Sequence, residues 1–267
     1  MSSSGSTMGS VTMPPLGLGT WLLTGRDAQE GVTDALELGY RHIDTARAYE
    51  NEAEVGRGIA AAGVDREEVW LTTKLWKDQL RREEVRDQLE DSLRTLGTEY
   101  VDLLLIHWPN PEIGVEETLE AMLALHEEGK VRHLGVSNFP SGHWREALEH
   151  APVEVNQVEF HPYLPQPALL ELARERDLTV TAYSPFARGK VFDDPVIKGI
   201  GDPAQVTLAW LLGQPNVAAV PKAASHEKRR NNLAALDLEL TEDQRHAIAA
   251  LGRGERIIDP SFAPAWD

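Results

Sequence analysis

Asp44, Tyr49, Lys74 and His107 are the residues whose types and order in this 267-residue chain could move a proton. A phenol titrates near about 10 and is a poor acid at neutral pH. An ammonium beside it favours the phenolate, and a carboxylate beside that ammonium keeps it charged and oriented. A neutral imidazole can hydrogen-bond a carbonyl oxygen. Singly, Asp44 would as readily cap a turn, and Tyr49 would as readily cover the end of a sheet.

The elements that carry these residues put them on one edge. In HIDTARAYENEAEVG (residues 42–56) a strand runs out near Thr45, and a helix starts near Asn51. Asn51 is the expected N-cap, with Glu52 and Glu54 in the first turn. Asp44 then ends a strand and Tyr49 lies in the loop beyond it. VWLTTK (69–74) ends on Lys74, and VDLLLIHW (101–108) places His107 at the end of the next strand. The C-terminal edge of a parallel sheet or barrel is where α/β folds build sites.

The remaining pattern extends the alternation. Helices are expected over 28–38, 51–62, 82–96, 116–128, 141–150, 167–176, 203–212 and 226–234, with a last one over 242–251 capped by Thr241. Strands are expected at 17–20, 42–45, 69–74, 101–107, 131–137, 153–160, 179–184 and 217–221. Eight strands alternating with eight helices, plus one extra, predict a (β/α)8 TIM barrel with an additional C-terminal helix and tail. The length suits a single barrel domain over 11–267 behind a disordered N-terminal tail, residues 1–10.

A second constellation follows the later strands. There is no GxGxxG after a strand and no GxxxxGK[ST], so neither a Rossmann nor a P-loop site is supported. Strand ends instead offer Ser137, Asn138, Gln157, Tyr183, Ser184 and Lys222. Amides can pair with a carboxamide, a tyrosine can stack on a planar ring, and a lysine can meet phosphate. Each also has an ordinary structural reading: turn, core or solvated surface. The glycines of GLGTW (17–21) either let backbone approach a ligand or simply make a turn.

Taken in order, GLGTW, HIDTARAYENEAEVG, the two lysine and histidine strand ends, SNF (137–139), VNQVEFHPYL (155–164), YSP (183–185) and the tail DPSFAPAWD (259–267) resemble the aldo-keto reductase family over nearly the whole chain. The resemblance implies a catalytic tetrad of Asp44, Tyr49, Lys74 and His107. It also implies hydride transfer from C4 of a nicotinamide to a carbonyl carbon, with Tyr49 as proton donor. The implied cofactor set is Gly19, Thr20, Trp21, Asp44, Ser137, Asn138, Gln157, Tyr183, Ser184, Pro185, Lys222, Lys228 and Asn232. Ser137, Asn138 and Gln157 would meet the carboxamide, Tyr183 the ring and Ser184 the pyrophosphate. Lys222 would meet the 2′-phosphate and Asn232 the adenine. Trp21, Tyr49, Trp76, His107 and Trp108 would line the substrate pocket. Short loops after His107 and Ser184 resemble the bacterial members that reduce methylglyoxal or diketo sugar acids.

The chain departs from the family at Ala223, where a serine is common, at Lys228, where an arginine is common, and at Asn231, where a glutamate is frequent. Lysine does not stack and fork as a guanidinium does. NADPH is therefore expected as cofactor, with NADH a weaker alternative. Lys222, Lys228, Arg229 and Arg230 form a basic cluster in a chain with 43 acidic and 26 basic residues and net charge -17. That charge argues against nucleic-acid or anionic-membrane partners. The acidic, lysine-poor composition suits a salt-rich cytoplasm. There is no cysteine and no apolar run reaching the ~18 residues of a membrane span, so a cytoplasmic monomer with a small-molecule carbonyl substrate is expected. Two rivals share the barrel. A potassium-channel β subunit would resemble this family with Asn in place of His107. A metal-dependent hydrolase could use His107 with Glu159 and His161, although no HxH occurs and no metal is expected.

Overall fold

The computed structural model describes residues 11–267; the expected N-terminal tail lies outside them. The chain alternates β1 (Leu18–Gly19), α1 (Gly25–Leu38), β2 (His42–Asp44), α2 (Glu52–Ala61), β3 (Trp70–Leu75), α3 (Arg82–Leu96), β4 (Val101–Ile106), α4 (Val115–Glu127), β5 (Val131–Ser137) and α5 (Ser141–His150). It continues through β6 (Val153–Glu159), α6 (Pro167–Arg176), β7 (Thr179–Tyr183), α7 (Pro195–Ile200), α8 (Pro203–Leu212), β8 (Val217–Ala219), α9 (His226–Leu233) and α10 (Glu242–Ala249). All eight strands are parallel and follow sequence order. Bridges Leu16–Ala219 and Gly19–Lys222 close the sheet into a (β/α)8 barrel.

Period and punctuation explain the elements. α1 turns Ala28, Val32, Ala35 and Leu36 inward and ends on Gly39, whose φ of 108° suits glycine. Burying each such valine or leucine is worth about 1.5–3 kcal/mol. The strands are buried almost throughout, as expected where helices cover the outer face. Val11, Met13, Trp70, Leu103, Leu105, Val155 and Ala218 fill the barrel interior.

Three expectations change. Gly19 serves barrel closure: a Cβ there would lie 2.5 Å from the Val220 carbonyl oxygen. Asn51 precedes α2 but makes no side-chain cap. Its amide donates to the carbonyls of Thr20 and Leu23 and accepts from the Thr45 hydroxyl, which ties β1 to the loop after β2. Between Ser184 and Pro203 lies more structure than the sequence suggested: a 3-10 segment, Ala187–Asp193, and then α7, capped by the Asp194 carboxylate at Val196 N and Ile197 N. Among the described residues no helix is long and apolar enough to cross a membrane.

Candidate active site

Asp44 is the centre of the site. Its side chain is buried at the end of β2, and Lys74, fully buried on β3, donates to Oδ1 at 2.6 Å. The same Nζ donates to the Thr45 carbonyl at 2.7 Å and lies 3.4 Å from the Tyr49 hydroxyl. Gln157, from β6, donates from Nε2 to Asp44 Oδ2 at 2.6 Å. The Tyr49 and His107 rings meet edge to face at 5.8 Å, and Trp76 meets His107 at 5.4 Å.

Burial sets the electrostatics. It pushes the Tyr49 phenol well above its usual range, and the Asp44 charge adds to this. The sequence suggested the opposite, a phenol lowered by Lys74. The ammonium is instead matched at close range by Asp44, so little net positive field reaches the phenol. Burial lowers Lys74, while Asp44 opposes that shift. Burial and then the Lys74 charge hold His107 well below its usual value, so its imidazole is neutral. His107 Nδ1 is buried with no hydrogen-bond partner.

These groups form one end of a cavity of about 1320 Å³. Its walls include Tyr183, Ser184 and Pro185 in the middle and Lys222, Lys228 and Asn232 at the far end. Ser137 Oγ and Asn138 N both donate to the Gln157 carbonyl, at 2.7 and 2.9 Å. Asn138 Nδ2 donates to the His107 carbonyl, and Asn138 Oδ1 accepts from the Tyr183 hydroxyl at 2.7 Å. Asn138 and Ser184 both adopt left-handed backbone (φ 62° and 47°), turning the chain sharply where β5 and β7 end.

Comparison with known proteins fits this arrangement. Residues 15–195 match the model of the aldo/keto reductase family. Methylglyoxal reductase DkgB of Escherichia coli O157:H7 is 40% identical over 96% of this chain and all of its own. The chain belongs to the aldo/keto reductase family. It is therefore an oxidoreductase. A 9,11-endoperoxide prostaglandin H2 reductase of Trypanosoma cruzi (strain CL Brener) is also 40% identical, over 93% of this chain and 91% of its own. A solved structure provisionally named 2,5-diketo-D-gluconic acid reductase B superposes with a TM-score of 0.96 at 39% identity, covering 98% of this chain and 97% of its own.

Most of the residues expected from the sequence meet in this reductase. Gly19, Trp21, Asp44, Tyr49, Trp76, His107, Trp108, Ser137, Asn138, Gln157, Tyr183, Ser184, Pro185, Lys222, Lys228 and Asn232 all line the cavity. Lys74 lies beneath it. Thr20 does not line it: buried and turned inward, its hydroxyl donates to the Asp44 carbonyl at 3.0 Å. Arg229 leaves the basic cluster. It is buried, with Nε 2.5 Å from Asp34 Oδ2 and Nη1 donating to the Ala223 carbonyl. Arg230 does line the cavity, as do Arg188, Phe186 and Ile258, none of which a recognised motif pointed to. Arg188 spans the mouth, its guanidinium 5.2 Å from the Trp21 ring.

Proposed function

We propose that this enzyme reduces small aldehydes and ketones, such as methylglyoxal or a diketo sugar acid, to alcohols with NADPH. The observation that carries this reading is the Tyr49 hydroxyl, 3.4 Å from a buried Lys74 that is itself paired to Asp44, beside a neutral His107 at one end of the cavity. The residues fit a dinucleotide. Amides at Asn138 and Gln157 flank the catalytic end, the Tyr183 side chain lines the middle, and Lys222 and Lys228 lie at the far end. The cavity exceeds the roughly 300–1,000 Å³ of most small-molecule pockets, as a dinucleotide plus a small substrate requires.

Reduced nicotinamide, when bound, supplies the hydride. The protein's part is to hold the carbonyl and deliver a proton. His107 donates a hydrogen bond to the carbonyl oxygen and orients it toward Tyr49. Tyr49 stays protonated across the neutral range because burial raises its pKa, so the proton is available when negative charge develops on that oxygen. Lys74 stabilises the phenolate as it forms, and Asp44 fixes Lys74 in place. Trp21, Trp76 and Trp108 wall the carbonyl end with apolar rings, which favours small, weakly charged substrates. Every lining residue comes from one chain, so a monomer suffices; we place it in the cytoplasm.

The test is a panel of aldehydes, ketoacids and dicarbonyls followed by nicotinamide absorbance, with NADPH and NADH, on the wild type and Tyr49→Phe. The variant is expected to bind NADPH as the wild type does and to lose turnover by ~10²–10⁴-fold, the usual worth of a general acid. Near-native turnover in Tyr49→Phe would refute the assignment of the acid.

A further inference from the structure

Glu159 and His161 have no part in the proton transfer just described, yet both are fully buried. A buried carboxylate is costly unless its oxygens are filled by donors. Glu159 ends β6, and its carboxylate accepts from Ile257 N at 2.9 and 3.2 Å, from Ile258 N at 2.9 Å and, through Oε1, from His161 Nε2 at 3.0 Å. Arg256 Nη1 lies 3.9 Å away. The spacing that could have suggested metal ligands instead serves a clamp, and most of what it clamps comes from the C-terminal segment beyond α10.

That segment, residues 253–267, has no helix or strand, so side chains must hold it. It crosses the mouth of the barrel beside the carbonyl end. Ile258 lines the cavity. Phe262 packs edge-on against Trp76 at 6.1 Å and Trp108 at 5.4 Å, and Trp266 lies 6.2 Å from Trp108. Arg256 sits 3.5 Å from the centre of the Trp266 ring. The Glu159 clamp lies just upstream of all these aromatic contacts, where the segment turns from α10 toward the mouth.

We propose that Glu159 is a latch and positioning residue. By holding the amides of Ile257 and Ile258 it keeps the strap across the mouth, so that Ile258 and Phe262 complete the carbonyl pocket and set how tightly substrate binds. This rests on the reading that the carbonyl sits at Tyr49 and His107. Glu159→Gln is a nearly isosteric probe. Whichever way the new amide turns, its NH2 faces a backbone N–H donor, so at least one clamp bond is lost. The strap touches neither Asp44 nor Lys74, and the cations of the nucleotide end lie at the opposite end of the cavity. Substrate affinity should therefore move while turnover and cofactor affinity do not.

The experiment combines trypsin cleavage after Arg256, read by mass spectrometry of the intact chain, with steady-state kinetics on methylglyoxal and NADPH titration. Glu159→Gln should release residues 257–267 about tenfold faster than the wild type and raise KM about tenfold, with kcat and the NADPH Kd within about threefold. Ile257→Pro removes one clamped N–H but leaves the carboxylate, and should give the same pattern; it decides the matter if Glu159→Gln does not fold. Wild-type cleavage rates in these variants would overturn the latch. Faster cleavage with unchanged KM would overturn the link to the pocket. A parallel fall in kcat and NADPH affinity would reduce Glu159 to barrel packing, also against the proposal. If the wild type reduces no carbonyl at all, the reading of the function fails instead, and the cleavage comparison still decides whether Glu159 holds the strap.

Discussion

Removing Lys74 alone strikes the structure and the chemistry together. In Lys74→Met the Asp44 carboxylate, only 3% exposed, loses the ammonium 2.6 Å away and keeps only Gln157 as a side-chain donor. At an effective dielectric of about 20, a pair this close attracts by roughly 6 kcal/mol. Desolvation offsets most of that attraction while both partners are present. With one gone, the stranded charge costs about 3–5 kcal/mol. A domain stable by about 5–15 kcal/mol loses a large share of its margin. Lys74→Met with Asp44→Leu removes both charges and should recover most of the loss. Neither double nor single variant should reduce carbonyls at more than about 1% of the wild-type rate, because the phenolate forming on Tyr49 has lost its cation. Urea unfolding followed by tryptophan fluorescence, with methylglyoxal turnover on the same samples, measures both. A single variant destabilised by less than about 1 kcal/mol, or a double variant no more stable than the single, would refute the reasoning.

Two further outcomes follow from other charges. Lys222→Ala should weaken NADPH binding roughly ten- to a hundredfold and leave NADH nearly unchanged, since a charge-assisted hydrogen bond is worth about 1.5–3 kcal/mol. Equal losses for the two cofactors in a fluorescence titration would show that Lys222 does not read the 2′-phosphate. His42 is buried, and burial lowers its pKa to about 4. Between that value and the ~6.5 of an unfolded histidine, the unfolded state binds the extra proton, so stability falls as pH drops through this window, by about 3 kcal/mol in all. Urea midpoints from pH 7 to 4 should drop more steeply in the wild type than in His42→Gln; parallel curves would count against the histidine as the source.

What the sequence revealed and what it hid divide along physical lines. β3 and β4 were readable because an apolar or β-branched run ends where Lys74 and His107 begin. Thr20 was misassigned because it stands between Gly19 and Trp21, while side chains alternate along extended backbone and turn it away from the cavity. Arg229 looked like its neighbours Lys228 and Arg230, but a helix turns about 100° per residue, and that rotation carries it onto Asp34 of α1. Ile258 and Arg188 lie in irregular segments whose paths are fixed by distant contacts, which no local periodicity records. The phenol's pKa was read with the wrong sign because adjacency in a motif gives neighbours, not burial.

The two constellations seen in the sequence are one network in the fold. Asp44 accepts from Lys74 on one oxygen and from Gln157 on the other. The Gln157 carbonyl takes bonds from Ser137 and Asn138, whose amide in turn reaches the His107 carbonyl and the Tyr183 hydroxyl. A buried circuit of this kind is stable only when every member is satisfied. The groups assigned to the proton and those assigned to the nicotinamide therefore cannot shift independently. Substitutions around this ring should couple even where their side chains do not touch, whereas Lys222 and Lys228, exposed at the far end, stand outside it. That division explains why this chain can lose the usual serine and arginine at Ala223 and Lys228 while every residue of the inner ring keeps the family pattern.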